Sequence, residues 1–314
     1  MVSTFRISAT SDRFWNLLEF YKFAVTNQGN AIHLEIEPEA ICLRSLGVYH
    51  ILESLGFCDV TIDTYNPIET HDIYRVHHIK NPWFAITPLI DISLQQWNQK
   101  KVFYALFGRP TAGRLAIAAY LKEHHTDISH VHFSATTDIN NLVQFEFDKL
   151  LSYDKDSVTR AGNLLAHLPL LLSPSDRYTA YHGYDYSDPL TTFYQDILID
   201  VVVESHVLGE TFFPTEKTLR SIWMKKPFVI FASRDYLCYM RQMGFQTFWQ
   251  FWDEDYDGFE TRDRLLRILK LLDWFASQSP KQLWELYQMI QPILNHNYDL
   301  LRTQSYNSEI LKID

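Results

Sequence analysis

Three consecutive residues, Thr215-Glu216-Lys217, bring a helix-capping hydroxyl, a carboxylate and an ammonium into one turn of chain. Thr215 is a good N-cap, and Leu219, Ile222 and Trp223 behind it supply the apolar face of a helix. Glu216 and Lys217 then fall in the first turn, where unpaired backbone N–H groups and the helix dipole favour an anion. Lys217 adds a full positive charge suited to a phosphate. An ionised Glu216 is acceptor-only and suits the vicinal hydroxyls of a ribose. The two side chains are the pair needed to grip a nucleotide by sugar and phosphate together. By spacing alone, a dipole-stabilised helix start with a solvated lysine accounts for the same residues.

Elements on either side place this triplet at a sheet edge. Val201 to Val203 read as the end of a buried strand, so Glu204 sits at its carboxyl edge, where open α/β sheets bind ligands. A second turn, GRPTAGR, sets Arg109 just past the strand run KVFYALFG and Arg114 at the start of the helix RLAIAAYLKEH. The arginine fork matches phosphate oxygens. This turn lacks the spacing and the Gly-Lys-Ser/Thr ending of a Walker loop.

The order of elements is that of a parallel, doubly wound sheet. AIHLEIE (Ala31 to Glu37) and DVTIDTYN (Asp59 to Asn66) alternate like strands, and ICLRSLGVYHILESLGF between them has helical spacing ended by Gly56. Trp83 to Ile92 reads as a strand approach or a buried loop. After KVFYALFG and its helix come the strand HVHFSAT, the strand ILIDVVVES, the Thr215 helix and the strand PFVIFA. A helix from Asp235 to Met243 stops at Gly244, and FQTFWQF reads as a further strand. From Arg262 the chain is helical, with an interruption near Ser277 to Pro280. The expectation is an α/β protein of two Rossmann-like domains facing a cleft, with C-terminal helices. The expected boundaries are 1–98 and 99–275 for the two α/β domains, with 276–314 a helical segment packing back on both.

Composition bounds the class. The 314 residues are 46% hydrophobic and 15% aromatic, enough for a sizeable core. The net charge of −10 disfavours general binding to nucleic acid backbones or anionic membranes. Cys42, Cys58 and Cys238 form no C-x-x-C pair, and buried thiols in a reducing compartment are the simpler reading. No run approaches the ~20 apolar residues of a membrane span, and the expected location is cytoplasmic.

The run from Glu204 through Phe212-Phe213-Pro214-Thr215-Glu216-Lys217-Thr218 to Lys226-Pro227-Phe228-Val229-Ile230 resembles the donor-binding region of α-1,3-fucosyltransferases and exostosin-like glycosyltransferases. The likeness covers about thirty residues well and perhaps 170 loosely. It implies a GT-B fold with a nucleotide-sugar as co-substrate, no cofactor and no metal. By that match Glu216 binds ribose, Lys217 the donor phosphate, and Arg109 or Arg114 also touches phosphate. The acceptor is then a glycan or another hydroxyl compound. A general base is sought among Glu35, Glu37, Glu39, Asp63, Glu69 and His71, with Glu37 and Glu69 as the candidates.

Other constellations carry less. DEDYDG (Asp253 to Gly258) begins like an EF-hand loop, but Arg264 stands where the closing Glu belongs. Asp253-Glu254-Asp255 invites comparison with a metal-binding DxD, yet a solvated turn explains it. His124, His125, His130 and His132 lack a carboxylate or cysteine at ligand spacing. Tyrosines between Asp176 and Tyr194 are candidates for acceptor or nucleobase contact. Two rival functions remain: a glycosyltransferase acting on modified bases of DNA, which the charge disfavours, and a non-catalytic nucleotide-sugar or glycan-binding protein.

Overall fold

A computed structural model describes residues 2–10, 13–14, 16–36, 40–85, 96–108, 110–133, 155–172 and 189–307. Within them, alternating apolar residues build one parallel four-stranded sheet, and near-continuous buried runs build a second. The first contains β1 (Ser3–Ile7), β4 (Ile32–Ile36), β5 (Val60–Thr64) and β6 (Arg75–His78) in that order. A short antiparallel ribbon, β2 (Ala9–Thr10) with β3 (Arg13–Phe14), follows β1. On one face Phe5, Leu34, Ile62 and Val76 pack under α1 (Leu17–Thr26) and α2 (Val48–Ser54). On the other, Arg6, Glu35, Asp63 and His77 line up in one register row. The helix expected between β4 and β5 is shorter than its apolar spacing suggests. It starts only after Gly47, whose φ of +78° takes the chain through the left-handed region.

The second sheet is built from β7 (Phe103–Phe107), β8 (Ser129–Phe133), β9 (Ile199–Val203) and β10 (Phe228–Phe231), in the order β10-β9-β7-β8. All its pairings are parallel. From β7 the chain first steps outward to β8, then returns to the other side of β7 for β9 and β10. The strand order therefore reverses between β7 and β9, which is where doubly wound sheets open a ligand crevice. Helix α3 (Ala112–His124) packs with α4 (Lys155–Leu165), and α7 (Thr261–Ser277) lies on β10. Helix α5 (Glu216–Trp223) contacts β9 and packs against the long α8 (Pro280–Asn307). Near the start of α3 the residue must be small: a Cβ on Gly113 would stand 2.7 Å from the Phe231 ring. The protein is thus a mixed α/β chain with two Rossmann-like parallel sheets.

Beyond α6 (Tyr236–Gln242), FQTFWQF is not a strand. Phe245 and Phe248 do enter the core, but the backbone is held by a side chain instead of a neighbouring strand. The Asn297 amide accepts from Gln246 N at 2.7 Å and donates to Gln246 O at 2.8 Å. The three cysteines are unbridged, and Cys58 is exposed instead of buried as expected. No helix among the described residues is long and apolar enough to cross a membrane.

Two buried carboxylates stabilise the turn after α6 and give stability a pH dependence. Glu254 accepts from Phe248 N at 2.8 Å, and Asp257 from Leu237 N at 2.8 Å. Burial pushes Glu254 up to about 7 and Asp257 up to about 6. Between about pH 4 and 7 the folded chain therefore holds protons that the unfolded chain has lost, so these groups make stability fall as pH rises. Burial pushes Lys226 down to about 7, so its contribution rises with pH above that point. The melting temperature should drop between about pH 5 and 7 in a pH series, and Glu254→Gln should flatten that slope. An unchanged slope in the variant would remove Glu254 from the explanation.

Candidate donor site

The site forms where β9 ends. Glu204, the next residue, is 3% exposed and continues the ladder by donating its N–H to Phe231 O at 3.0 Å. Its Oε1 accepts from Thr215 N at 3.2 Å, Thr218 Oγ1 at 2.6 Å and Tyr236 OH at 3.3 Å. Its Oε2 accepts from Thr215 Oγ1 at 2.6 Å. Glu204, expected as a donor-binding residue, thus fastens the start of α5 to the strand edge and presents no open face. The Thr215 hydroxyl in turn accepts from Lys217 N at 3.4 Å and from Lys217 Nζ at 3.0 Å, capping the helix as expected.

Glu216 and Lys217 lie side by side, with Nζ 2.7 Å from Glu216 Oε1 and side-chain exposures of 16% and 17% for lysine and glutamate. Burial raises the Glu216 carboxyl, but Lys217, then Arg220 and Arg114, outweigh it and hold the group below the usual carboxylate range. Arg114 comes from the other side of the crevice. The cap of α3, Thr111, accepts from Arg114 N, and the guanidinium donates from Nε and Nη2 to Val203 O at 3.4 and 3.3 Å. The starts of α3 and α5 therefore meet at the reversal between β7 and β9. Arg109 and Glu37 lie outside the described residues, as do the tyrosines between 176 and 186.

Beneath Glu216 lies a polar layer that sequence reading missed. Arg220 Nε donates to Tyr194 OH at 2.7 Å, and Tyr194 donates on to Asp200 Oδ2 at 2.8 Å. Ser221 Oγ also donates to Asp200 Oδ2, at 2.7 Å. Asp200 is fully buried, and burial raises its pKa against the pull of Arg220. On β8, His132 is fully buried with both ring nitrogens unpartnered. Burial and then the Arg220 charge push it down to about 4, so the imidazole is neutral at physiological pH. The one available signal was a lone aspartate inside the apolar strand IDVVV. On the far side of β10, Arg264 donates from Nη2 to Val207 O at 2.7 Å and from Nη1 to Phe259 O at 2.6 Å. It holds the loop that follows Glu204.

That loop is also gripped from the first sheet. Asn66, just beyond β5, donates from Nδ2 to Glu210 O at 3.1 Å and accepts from Phe212 N at 3.0 Å. Asn81 Nδ2 donates to Pro214 O at 2.8 Å. Glu69, expected as a base candidate, belongs to this clamp. It is 6% exposed, and it accepts from Tyr49 OH at 2.8 Å and from Leu43 N and Asn66 Nδ2 at 3.2 Å. Burial raises its pKa despite those donors. Glu39 lies outside the described residues, and the other two acidic candidates are paired on the first sheet. Glu35 binds Arg6 at 3.0 Å, and Asp63 lies 3.1 Å from His33 and 3.3 Å from His77. His71 bonds Glu53 and stacks on Tyr74. Among the described residues no three His, Cys, Asp or Glu side chains form a metal-holding group, and His130 is instead paired with Asp196.

Comparison with protein-family models, curated proteins and solved structures finds no match to this chain.

Proposed function

We propose that this chain is a glycosyltransferase of the GT-B type whose nucleotide-sugar donor sits at the carboxyl edge of the second sheet. The observation that carries the reading is the convergence of Arg114, Glu216 and Lys217 from two helix starts on the reversal between β7 and β9. Lys217 meets the donor phosphates, the buried Arg114 adds positive charge behind it, and Glu216 accepts from the ribose hydroxyls. Lys217 is bonded to Glu216 and Thr215. A diphosphate therefore competes for an ammonium already held in place, and reorganisation is small. Glu204 acts through Thr215 and Thr218 as a positioning residue. Countercharge for the leaving phosphate comes from protein side chains. The acceptor is a glycan or another hydroxyl compound, and the reading names no general base.

The test is a thermal-shift panel of UDP-, GDP-, ADP- and CDP-linked sugars. A ligand that binds only the folded chain raises its melting point with concentration. At least one member should do so, and a panel with no shift sinks the reading. The engagement of Glu69 by three donors favours a binding-only protein as the second reading. Slow hydrolysis of the bound donor without acceptor would decide for the enzyme.

A further inference from the structure

Two sequence features that the donor site leaves unused meet at one groove. The acidic turn beginning at Asp253 and the basic stripe of α7 both line a cavity of about 600 Å³ on the flank of the second sheet. Such a volume lies in the range of small-ligand clefts, ~300–1,000 Å³. Its charged lining is balanced, with Asp253 and Asp263 against Arg267 and Lys270. The Arg267 guanidinium is centred 3.7 Å from the Phe259 ring centroid, which fixes its position. Trp274 lines the same groove and stays 39% exposed. Trp252 also lines it, stacked on Phe248 at 4.7 Å, and its buried indole N–H has no acceptor.

We infer that this groove binds a neutral, hexose-based oligosaccharide. An exposed indole offers a flat apolar surface to the C–H face of a sugar ring. Carboxylates beside it accept from sugar hydroxyls, and guanidinium and ammonium groups donate to them. The balanced charge decides the class of ligand. A phosphate or nucleic acid strand would meet Asp253 and Asp263 as well as the two cations, whereas a neutral polyol uses all four groups. The site stands apart from the donor residues and does not depend on the transfer reading.

The full chain would be titrated calorimetrically with maltohexaose, cellohexaose and chitohexaose, with inorganic phosphate and guanosine monophosphate as anionic controls. At least one hexasaccharide should bind. Trp274→Ala and Asp263→Asn, both at exposed positions, should each weaken it about tenfold or more with the melting temperature unchanged, a factor equal to about 1.4 kcal/mol. Lys217→Ala should leave this binding intact, which separates the groove from the donor site. No heat from any of the three sugars would overturn the inference. So would sugar binding that survives Trp274→Ala, or phosphate binding that is lost with it.

Discussion

Lys217→Ala should lower donor turnover by ~30- to ~1000-fold while leaving the chain folded. The ammonium is held 2.7 Å from Glu216 and 3.0 Å from the Thr215 hydroxyl, and the proposed function puts it where charge would develop on a leaving phosphate. Loss of one such preorganised contact costs about 2–4 kcal/mol of transition-state stabilisation, or ~30- to ~1000-fold in rate. Its removal also frees Glu216 from the neighbour that most lowers its pKa. A carboxylate without that partner repels a diphosphate, so donor affinity should fall along with turnover. Lys217→Arg keeps the charge but not the compact ammonium, and should recover only part of the loss. Single-turnover kinetics and donor titration on the three proteins read both effects. Full activity in the alanine variant would remove Lys217 from the site.

Glu204→Ala should produce the largest loss of stability among single substitutions at the sheet edge. The buried carboxylate accepts four hydrogen bonds, from Thr215 twice, from Thr218 and from Tyr236. Alanine removes that shared acceptor from a closed environment, where an unsatisfied donor costs about 1–3 kcal/mol; because Thr218 and Tyr236 still bond each other, a total on the order of 3–5 kcal/mol is expected. Glu204→Gln preserves shape and one acceptor oxygen, and should fall between wild type and alanine. Urea unfolding with an unchanged m-value and a lowered midpoint is the expected readout. A midpoint within error of wild type would show that α5 is held by its apolar face alone.

The contrast between these two residues explains how much of the site was legible in the sequence. Caps and first-turn residues are local. Thr215 therefore marked its helix correctly, whereas α3, capped by Thr111, begins at Ala112, two residues ahead of the start read at Arg114. Strand edges are nearly as local, which put Glu204 and Arg114 at one edge before any topology was known. What a carboxylate does at that edge depends on partners far along the chain. Tyr236 lies 32 residues beyond Glu204, and nothing in the spacing announces that it turns inward. The same holds for Glu69, whose neighbours Leu43 and Tyr49 come from the preceding turn and helix. FQTFWQF failed for a related reason. Its apolar alternation is that of a strand, but a single amide from Asn297 occupies its backbone in place of a ladder. Periodicity reports which side chains are buried and does not report what satisfies the backbone between them.

The grip of Asn66 and Asn81 on the loop between β9 and α5 also bears on whether the second sheet can work alone. A fragment starting near residue 99 would retain Arg114, Glu204, Glu216 and Lys217 and could bury most of its own core. It would nevertheless lose the amide groups that hold Glu210, Phe212 and Pro214, the residues leading directly into the helix cap. The chain entering α5 would then sample many conformations, and ordering it would be charged against every binding event. Affinity is in this sense a joint property of the two halves. On the proposed function, the first half would contribute to donor recognition by restricting the loop of the second.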